Sequence, residues 1–172
     1  MPEAVIIAGA NGAGKTTFAR QVVPTLYPGI PFLNADEIQV NEPAFAHPIA
    51  AGRELLRRLD NTEIRNESFA IETTLSSVMY ARRIKRWRGH GFRVSPHFIE
   101  LPSEDFAVER VARRVATGGH AVPDGDVRRR FHRGMALFQQ VYKPAVDEWY
   151  HWLSDDGGLR LVNHHEESTA LT

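Results

Sequence analysis

One segment near the start of the chain constrains its fold more than any other. A glycine-rich run ends in a lysine and two threonines, with the apolar stretch Ala4–Ala8 before it and the helix-compatible stretch Phe18–Val23 after it. The pattern G-x-x-x-x-G-K-[ST] between a strand and a helix is that of a phosphate-binding P-loop. Its members are Gly9, Ala10, Asn11, Gly12, Ala13, Gly14, Lys15, Thr16 and Thr17.

The residue types of this loop suit a nucleoside triphosphate. Glycines let the backbone wrap a phosphate chain, so that successive N–H groups and the helix N-terminus point at it. Lys15 is expected to reach the β- and γ-phosphates, and the Thr16 hydroxyl is expected to bind Mg²⁺. The alternative is a glycine-rich turn with no nucleotide role, which would need the whole pattern and its context to agree by accident. The loop therefore predicts a nucleoside-triphosphate site.

Composition and charge exclude several classes of function. The 172 residues fit one domain. The 21 basic and 21 acidic residues cancel, so no overall field favours nucleic acid or an anionic membrane. The absence of cysteine excludes disulfides, thiolate metal sites and a cysteine nucleophile. No apolar run approaches the roughly 20 residues of a membrane span, and the chain enters its first strand without room for a signal peptide. A cytoplasmic protein with no membrane or nucleic-acid partner is expected.

Short apolar runs alternate with amphipathic segments, which predicts βαβ units and a parallel sheet covered on both faces. The predicted fold class is α/β, a three-layer P-loop fold with about five parallel strands and a helical lid. Strands are expected at Ala4–Ala8, Pro31–Asn34, Ser68–Ile71, Phe92–Leu101 and Leu159–Val162. Helices are expected at Lys15–Val23, Ala44–Arg65, Ser77–Arg88, Ser103–Ala116, Asp126–Gln140 and Pro144–Leu153, the last packing its aromatic residues against the sheet. Residues 1–163 are expected to form one domain with a lid at about 110–133, and residues 164–172 are expected to form a polar tail.

Two carboxylates follow predicted strands at the sheet edge where α/β proteins bind ligands. Asp36, after the second strand, can accept a proton from a hydroxyl that attacks the γ-phosphate; the alternative is that it caps the next helix. Glu72 ends the third strand, with Thr73, Thr74 and Ser76 beside it. Glu72 can hold Mg²⁺ through water or bind acceptor hydroxyls, or this group can cap the following helix.

Two arginine-bearing helices joined by a Gly-Gly loop predict a lid over the triphosphate. Phosphoryl transfer needs cations at the γ-phosphate, and arginine supplies a fixed fork of donors. A closed lid also excludes water. Two or three of the seven arginines are expected to act on the nucleotide, and the others to lie on solvated helix faces. The seven are Arg110, Arg113, Arg114, Arg128, Arg129, Arg130 and Arg133.

Two other clusters have a simpler interpretation. The basic run Arg82–Arg88 is expected to form the exposed side and end of a helix, and a nucleic-acid surface is the alternative. The eight histidines show no metal-ligand spacing, and His164 and His165 are expected at the surface.

These motifs resemble those of the zeta-toxin family of P-loop small-molecule kinases, especially its short bacterial branch. The resemblance spans nearly the whole chain. It rests on Gly9–Thr17, on Asn34–Glu37, on Ile71–Ser76, and on Gly118-Gly119-His120 through Val122-Pro123 to Arg128–Arg130. It implies ATP- and Mg²⁺-dependent phosphorylation of a sugar nucleotide, which for the characterised toxins is UDP-N-acetylglucosamine, at the 3′ hydroxyl of the amino sugar. An antitoxin partner is implied in the same way.

The resemblance also implies roles for individual residues. Asp36 matches the family's base, Glu72 and Thr74 match its acceptor-binding groups, and Arg114 and Arg128–Arg130 match its phosphate-clamping arginines. The expected catalytic group is Lys15, Asp36, Arg114 and Arg129. Arg110 and Arg130 would bind the nucleotide phosphates, and Glu72, Thr74 and His120 would bind the acceptor together with Asp36. Two positions depart from the larger toxins, which carry arginine where this chain has Ser76 and close to where it has His120.

Three rival interpretations stay open. The first is a kinase for another hydroxyl acceptor, such as a nucleoside, a sugar acid or an antibiotic. The second is a nucleotide-dependent ATPase or switch that transfers phosphate to water. An Asn-Lys-x-Asp segment and a Leu-Ser-Gly-Gly-Gln-like segment are both absent, which disfavours a GTPase switch and an ABC-type ATPase. The third is a nucleic-acid end kinase that binds its substrate through Arg82–Arg88.

Overall fold

Six strands form one sheet in the computed structural model, which describes residues 1–166. The strands are β1 (Glu3–Gly9), β2 (Phe32–Leu33), β3 (Phe69–Thr73), β4 (Arg93–Glu100), β5 (Glu148–Asp155) and β6 (Gly158–Glu166). Their order across the sheet is β2-β3-β1-β4-β5-β6. Every neighbouring pair is parallel except β5 and β6, which form an antiparallel hairpin.

Helices cover both faces of the sheet. They are α1 (Lys15–Gln21), α2 (Val23–Leu26), α3 (Ala35–Asn41), α4 (Pro48–Ile64), α5 (Met79–Gly89), α6 (Glu104–Ala116) and α7 (Asp124–Leu137). A 3₁₀ turn at Pro43–Phe45 precedes α4, and a π turn at Phe138–Tyr142 followed by a 3₁₀ turn at Lys143–Ala145 leads from α7 towards β5. Within residues 1–166, no helix combines the length and apolar character that a membrane crossing needs.

The central strand explains why the sheet is covered on both sides. Ala4–Ala8 of β1 are fully buried. Ala4, Ile6 and Ala8 belong to the apolar cluster that contains residues of α4 and α5, whereas Val5 and Ile7 belong to the cluster that contains residues of α1 and α6. Because successive side chains of a strand point to opposite faces, a continuously apolar strand can be satisfied only between two layers of helices.

The predicted α/β class is confirmed, but the C-terminal part of the sheet differs from the prediction. The predicted helix Pro144–Leu153 is wrong, since this region contains β5, which pairs in parallel with β4. The sheet therefore has six strands, not about five. The predicted strand Leu159–Val162 lies within β6, but it runs antiparallel, because the two residues Asp156 and Gly157 turn the chain straight back from β5.

The C-terminal aromatic and histidine residues lie on this hairpin and on the segment before it. Trp149, Tyr150 and Trp152 are strand residues of β5, whereas Tyr142 is buried at the end of the π turn. Residues 164–166 of the predicted tail pair with β5, and residues 167–172 lie outside the described residues. His164 and His165 are exposed, with their rings 6.3 and 6.2 Å from those of Tyr150 and Trp149.

Candidate active site

A cavity of about 510 Å³ lies at the carboxyl ends of the strands, between the P-loop, α6 and the β5–β6 hairpin. This is the edge of an α/β sheet at which ligands bind. It brings together many of the residues that the sequence singles out. Those on its wall are Gly12, Ala13, Gly14, Lys15, Thr16, Thr17, Asp36, Glu72, Arg110 and Arg114.

The P-loop joins β1 to α1 and packs against α6. Gly12 and Gly14 have φ angles of +82° and +86°, in the region that favours glycine. A Cβ atom on Gly12 would lie 3.0 Å from the Ala107 carbonyl oxygen and 3.0 Å from Arg110 Cβ, tighter than ordinary contact. The loop is thus shaped so that α6 can lie directly beside it, and α6 supplies arginines to the cavity.

Lys15 holds its ammonium group inside the loop. Its Nζ donates a hydrogen bond of 3.0 Å to the Ala10 carbonyl, and the residue is only 9% exposed. Burial is the main cause that lowers the pKa of Lys15. The carboxylates of Glu72 and, less strongly, Asp36 raise this pKa, whereas the positive charges of Arg114 and, less strongly, Arg130 lower it further. Charged side chains from the strand ends and from the lid therefore both act on the Lys15 ammonium group.

Thr16 and Glu72 form a pair of oxygen donors beside Lys15. The Thr16 hydroxyl donates a hydrogen bond of 2.8 Å to Glu72 Oε2. Capping of the next helix by Glu72 is wrong, because the N-cap of α5 is Val78 with no side-chain cap hydrogen bond, and Glu72 is bonded to Thr16 instead. A hydroxyl and a carboxylate suit Mg²⁺, which prefers oxygen ligands and keeps several waters when it binds with phosphates. In residues 1–166, no three His, Asp or Glu side chains form a metal site by themselves. These residues therefore fit an ion that arrives with a nucleotide.

Asp36 lies in the first turn of α3 without serving as its cap. Asn34 is the cap, and its side-chain oxygen accepts a hydrogen bond of 2.7 Å from the Asp36 N–H. The neighbouring Glu37 forms an exposed ion pair of 2.7 Å with Arg20. Within the described chain the Asp36 carboxylate takes part in no hydrogen bond or ion pair, and it lines the cavity. The capping alternative for Asp36 is therefore wrong, and its carboxylate is available for chemistry.

Three lid arginines are held at or beside the P-loop. Arg110 donates a hydrogen bond of 2.8 Å to Ser154 Oγ of β5, and its guanidinium lies 5.1 Å from the centre of the Phe106 ring. Arg114 donates one of 2.9 Å to the His120 carbonyl oxygen, and so ties α6 to the Gly-Gly loop. Arg130 of α7 donates one of 3.2 Å to Asn11 Oδ1 of the P-loop.

Other predicted site residues lie away from the cavity wall. Arg129 pairs with Asp126 at 2.8 Å, its side chain 58% exposed, and Arg128 pairs with Glu104 and Asp105 at the start of α6. His120 is exposed and contributes its backbone carbonyl to Arg114. The Thr74 hydroxyl is bonded to Ser76 Oγ at 2.8 Å.

The basic run Arg82–Arg88 is largely tied to acidic residues. Arg83 and Arg86 bind Asp60, at 2.8 and 3.1 Å, and Arg88 binds Asp147. This pairing favours the interpretation of the run as an ordinary helix surface. It leaves less free charge for the phosphates of a nucleic acid.

The contribution of the hairpin to the cavity does not follow from a helix at Pro144–Leu153. Ser154 of β5 and Leu159 of β6 line the cavity, as does Arg113 of α6, one of the seven lid arginines. The signal for the hairpin is present in the sequence. The aromatic-rich stretch Glu148–Asp155 is followed by Asp156-Gly157, a dipeptide typical of a two-residue hairpin turn.

The strand order, the loop and the strand-end carboxylates define a P-loop α/β fold. An uncharacterised protein of Haemophilus influenzae is 28% identical over 136 residues, which cover 75% of this chain and 92% of that protein. No protein-family model matches the chain.

Solved structures share the fold at low sequence identity. A chain from the PezAT chromosomal toxin–antitoxin system of Streptococcus pneumoniae superposes with a TM-score of 0.73 at 16% identity, over 95% of this chain and 72% of that one. A chain of the AvrRxo1-ORF1:-ORF2 complex with ATP gives 0.72 at 16% identity, over 95% of this chain and 58% of that one. Shikimate kinase from Acinetobacter baumannii, in complex with shikimate, gives 0.50 at 14% identity, over 87% and 82%.

Proposed function

We propose that this chain is a P-loop kinase that transfers the γ-phosphoryl group of ATP to a hydroxyl of a sugar nucleotide, with UDP-N-acetylglucosamine as the acceptor. One observation carries the proposal: Asp36, with no partner for its carboxylate in the described chain, shares a cavity with the P-loop lysine and the Thr16–Glu72 pair. Phosphoryl transfer needs a residue that orients the nucleophile or accepts its proton, and Asp36 is placed to do this for an acceptor hydroxyl.

The residues supply the parts that phosphoryl transfer needs. The acceptor oxygen forms a bond to the γ-phosphorus while the bond from that phosphorus to the β–γ bridging oxygen breaks, and ADP leaves. Asp36 takes the proton of the acceptor hydroxyl. Lys15 and Arg114 stabilise the charge on the transferring group, and Arg110 and Arg130 hold the phosphates. Thr16 and Glu72 would hold Mg²⁺, which would neutralise part of the charge of the triphosphate.

The acceptor is assigned by resemblance. The strand-end motif Ile71–Ser76 and the lid segment resemble those of the zeta-toxin kinases. The fold likeness to a chain of the PezAT toxin–antitoxin system is consistent with that assignment and supports the proposal of an antitoxin partner. Glu72, on the cavity wall with Asp36, would bind the sugar nucleotide; Thr74 and His120, which lie outside that wall, would join it, and Arg129 would join the phosphates, when the lid closes.

The proposal is tested by ³¹P NMR of the protein with ATP, Mg²⁺ and UDP-N-acetylglucosamine, against a sample without acceptor. A phosphomonoester resonance that requires the sugar nucleotide is expected. If only inorganic phosphate forms, equally in both samples, the assignment of UDP-N-acetylglucosamine as the acceptor fails. Nucleosides, sugar acids and antibiotics with free hydroxyls are then tried as acceptors, and an ATPase is the remaining explanation if none of them is phosphorylated.

A pair of neighbouring carboxylates gives a matched test of the base. Asp36→Asn is expected to keep the fold and to lower kcat by about 10²- to 10⁴-fold, because proton transfer to a positioned base contributes that much. Glu37→Gln, in the same turn but facing Arg20, is expected to leave kcat unchanged. A folded Asp36→Asn protein with normal kcat would remove Asp36 from the mechanism.

A further inference from the structure

Three residues at successive turns of α7 and its π-turn extension contact the P-loop, the segment after β3, and the core side of β4. Arg130 reaches Asn11 of the P-loop, at 3.2 Å. Gly134, four residues on, is buried against the segment between β3 and α5. Phe138, after another four, is fully buried and stacks on Phe98 of β4, with ring centres 4.5 Å apart. Residues four apart share a helix face, so one face of α7 and its extension makes all three contacts.

The middle contact leaves no room for a side chain. A Cβ atom on Gly134 would lie 2.7 Å from the Thr74 carbonyl oxygen, a separation that real Cβ atoms essentially never show. The obstacle is backbone, not the end of a flexible side chain, so it cannot turn aside. Two atoms of the Phe98 ring lie 3.9 Å from the same point, at ordinary contact distance. Any larger residue at this position must push α7 and the Thr74 segment apart.

The segment that Gly134 touches is the proposed acceptor loop. Its Thr74 and Ser76 hydroxyls are bonded to each other at 2.8 Å. Between them, Leu75 is 1% exposed and has a φ of +49°, which leucine rarely adopts. A second anchor comes from the π turn, where the Tyr142 hydroxyl donates to the Ser77 carbonyl. Contacts with α7 and with its π-turn extension therefore hold the backbone of this loop in place.

We infer that Gly134 is a positioning residue, whose missing side chain sets where the Thr74–Ser76 hydroxyl pair lies relative to the P-loop. Arg130, one turn away, fixes the same helix to Asn11. The helix thus sets the spacing between the phosphate donor and the hydroxyl groups that orient the acceptor. This inference rests on the proposed function, because it takes Thr74 as an acceptor-binding residue.

The first test compares two glycines of the same helix. Gly134→Ala is expected to lower kcat/KM for UDP-N-acetylglucosamine by about 100-fold, the cost of a misplacement near 1 Å, and to leave KM for ATP within about twofold. Gly125→Ala is the control, because a Cβ there meets nothing within 4 Å, and it should change neither constant. A kcat/KM for UDP-N-acetylglucosamine within about twofold of wild type, or a KM for ATP raised by as much as that constant falls, would overturn the inference.

A second test asks whether the effect passes through Thr74. In a Thr74→Val background, the loss caused by Gly134→Ala should shrink to about threefold or less, since residues that act through one contact are not additive. The same 100-fold loss in both backgrounds would contradict the inference. If Gly134→Ala does not fold, Tyr142→Phe takes its place. This variant removes the second anchor without adding bulk and should raise KM for the acceptor alone; an unchanged KM would overturn the inference.

A third measurement separates this inference from the proposed function. If the wild-type protein forms no phosphomonoester with the sugar nucleotide, the acceptor proposal fails, and amide hydrogen exchange then decides the role of Gly134. Exchange in residues 73–77 should be faster in Gly134→Ala than in wild type or Gly125→Ala, with residues 9–17 unchanged. Unaltered exchange in residues 73–77 would show that Gly134 does not position this segment.

Discussion

At the scale of single residues, burial of the Lys15 ammonium group is expected to lower the stability of the protein while the same group serves phosphoryl transfer. A buried ammonium costs free energy, and burial is the main cause of its lowered pKa. Lys15→Met is therefore expected to stabilise the nucleotide-free protein by about 1 kcal/mol while it lowers phosphoryl transfer by about 10²-fold or more. Urea unfolding and kcat measured on the same samples check this. A variant less stable than wild type would show that the Ala10 hydrogen bond outweighs the cost of burial.

The same variant gives a pH dependence with a definite sign. Lys15 has a pKa near 10.5 in the unfolded chain and a lower one in the native protein. As pH rises past the lower value, Lys15 loses its proton in the native state but keeps it in the unfolded chain. Wild-type stability then rises relative to Lys15→Met, because the unfolded state binds more protons. The stability gap between the two proteins should narrow from neutral pH towards pH 10. A constant gap would mean that Lys15 does not titrate differently on folding.

Most site residues could be predicted because their positions are local to strand ends. Lys15 and Thr16 follow from the P-loop pattern, and Asp36 and Glu72 from their places after two strands. The arginines could not be chosen in this way. Arg130 reaches the P-loop while its neighbour Arg129 turns to Asp126, a difference decided by how α7 packs.

At the scale of elements, an ion pair between a half-buried arginine and a buried carboxylate joins β4 to the start of β5. Glu148 has a 3% exposed side chain, and it accepts hydrogen bonds from Arg93, at 2.7 Å for Nε, and from Ser95. Arg93→Gln is expected to cost about 3 kcal/mol of unfolding free energy, because it leaves a buried carboxylate without its cation. Arg88→Gln should cost less than about 1 kcal/mol, since the pair with Asp147 is more exposed. Denaturant titrations that gave equal costs would contradict this distinction.

A buried histidine holds the same two strands to the residue after α2. Trp152 Nε1 donates to His97 Nδ1 at 3.2 Å, so in a neutral ring Nε2 carries the proton and donates to the Tyr27 hydroxyl, 2.9 Å away. Burial lowers the pKa of His97 to about 3, from 6.5. The unfolded chain therefore takes up a proton below pH 6.5 that the native protein does not, and stability falls as pH drops from 6.5 towards 3.

The size of this effect can be measured against a variant. Between pH 7 and pH 5, the free energy of unfolding should fall by about 2 kcal/mol more in wild type than in His97→Gln. His164→Gln removes an exposed histidine and should keep the wild-type pH dependence. Parallel pH profiles for wild type and His97→Gln would show that His97 is not the responsible group.

Strand β5, where the sequence pattern predicts a helix, shows that local pattern alone does not decide between a helix and a strand. The stretch Glu148–Asp155 carries apolar and aromatic side chains on both faces, because one face packs over the π turn and the other packs towards α1. An apolar run of that kind has no clear period, so a buried helix and a strand cannot be told apart by periodicity. The parallel pairing with β4 is non-local and decides between them.

At the scale of the whole molecule, the balanced charge predicts weak binding to nucleic acid. The chain has 21 basic and 21 acidic residues, and the densest basic run is paired with Asp60, Glu63 and Asp147. Binding to a single-stranded oligonucleotide should be no tighter than about 100 µM at physiological salt, as fluorescence anisotropy can measure. Tight binding that falls steeply with salt would instead favour the nucleic-acid end kinase.

The irregular pairing within the β5–β6 hairpin has a consequence for solubility. Asn163 lies opposite His151 and Leu161 opposite Trp152, so Val162 is an extra residue that bulges from the strand. Within residues 1–166, β6 is the last strand of the sheet, and it exposes Leu159, Leu161 and Val162. A flat strand of this composition would be a template for fibre growth, and a bulge twists such an edge away from incoming chains. The hairpin can therefore bring Leu159 to the nucleotide cavity without offering neighbouring molecules a regular edge on which to polymerise.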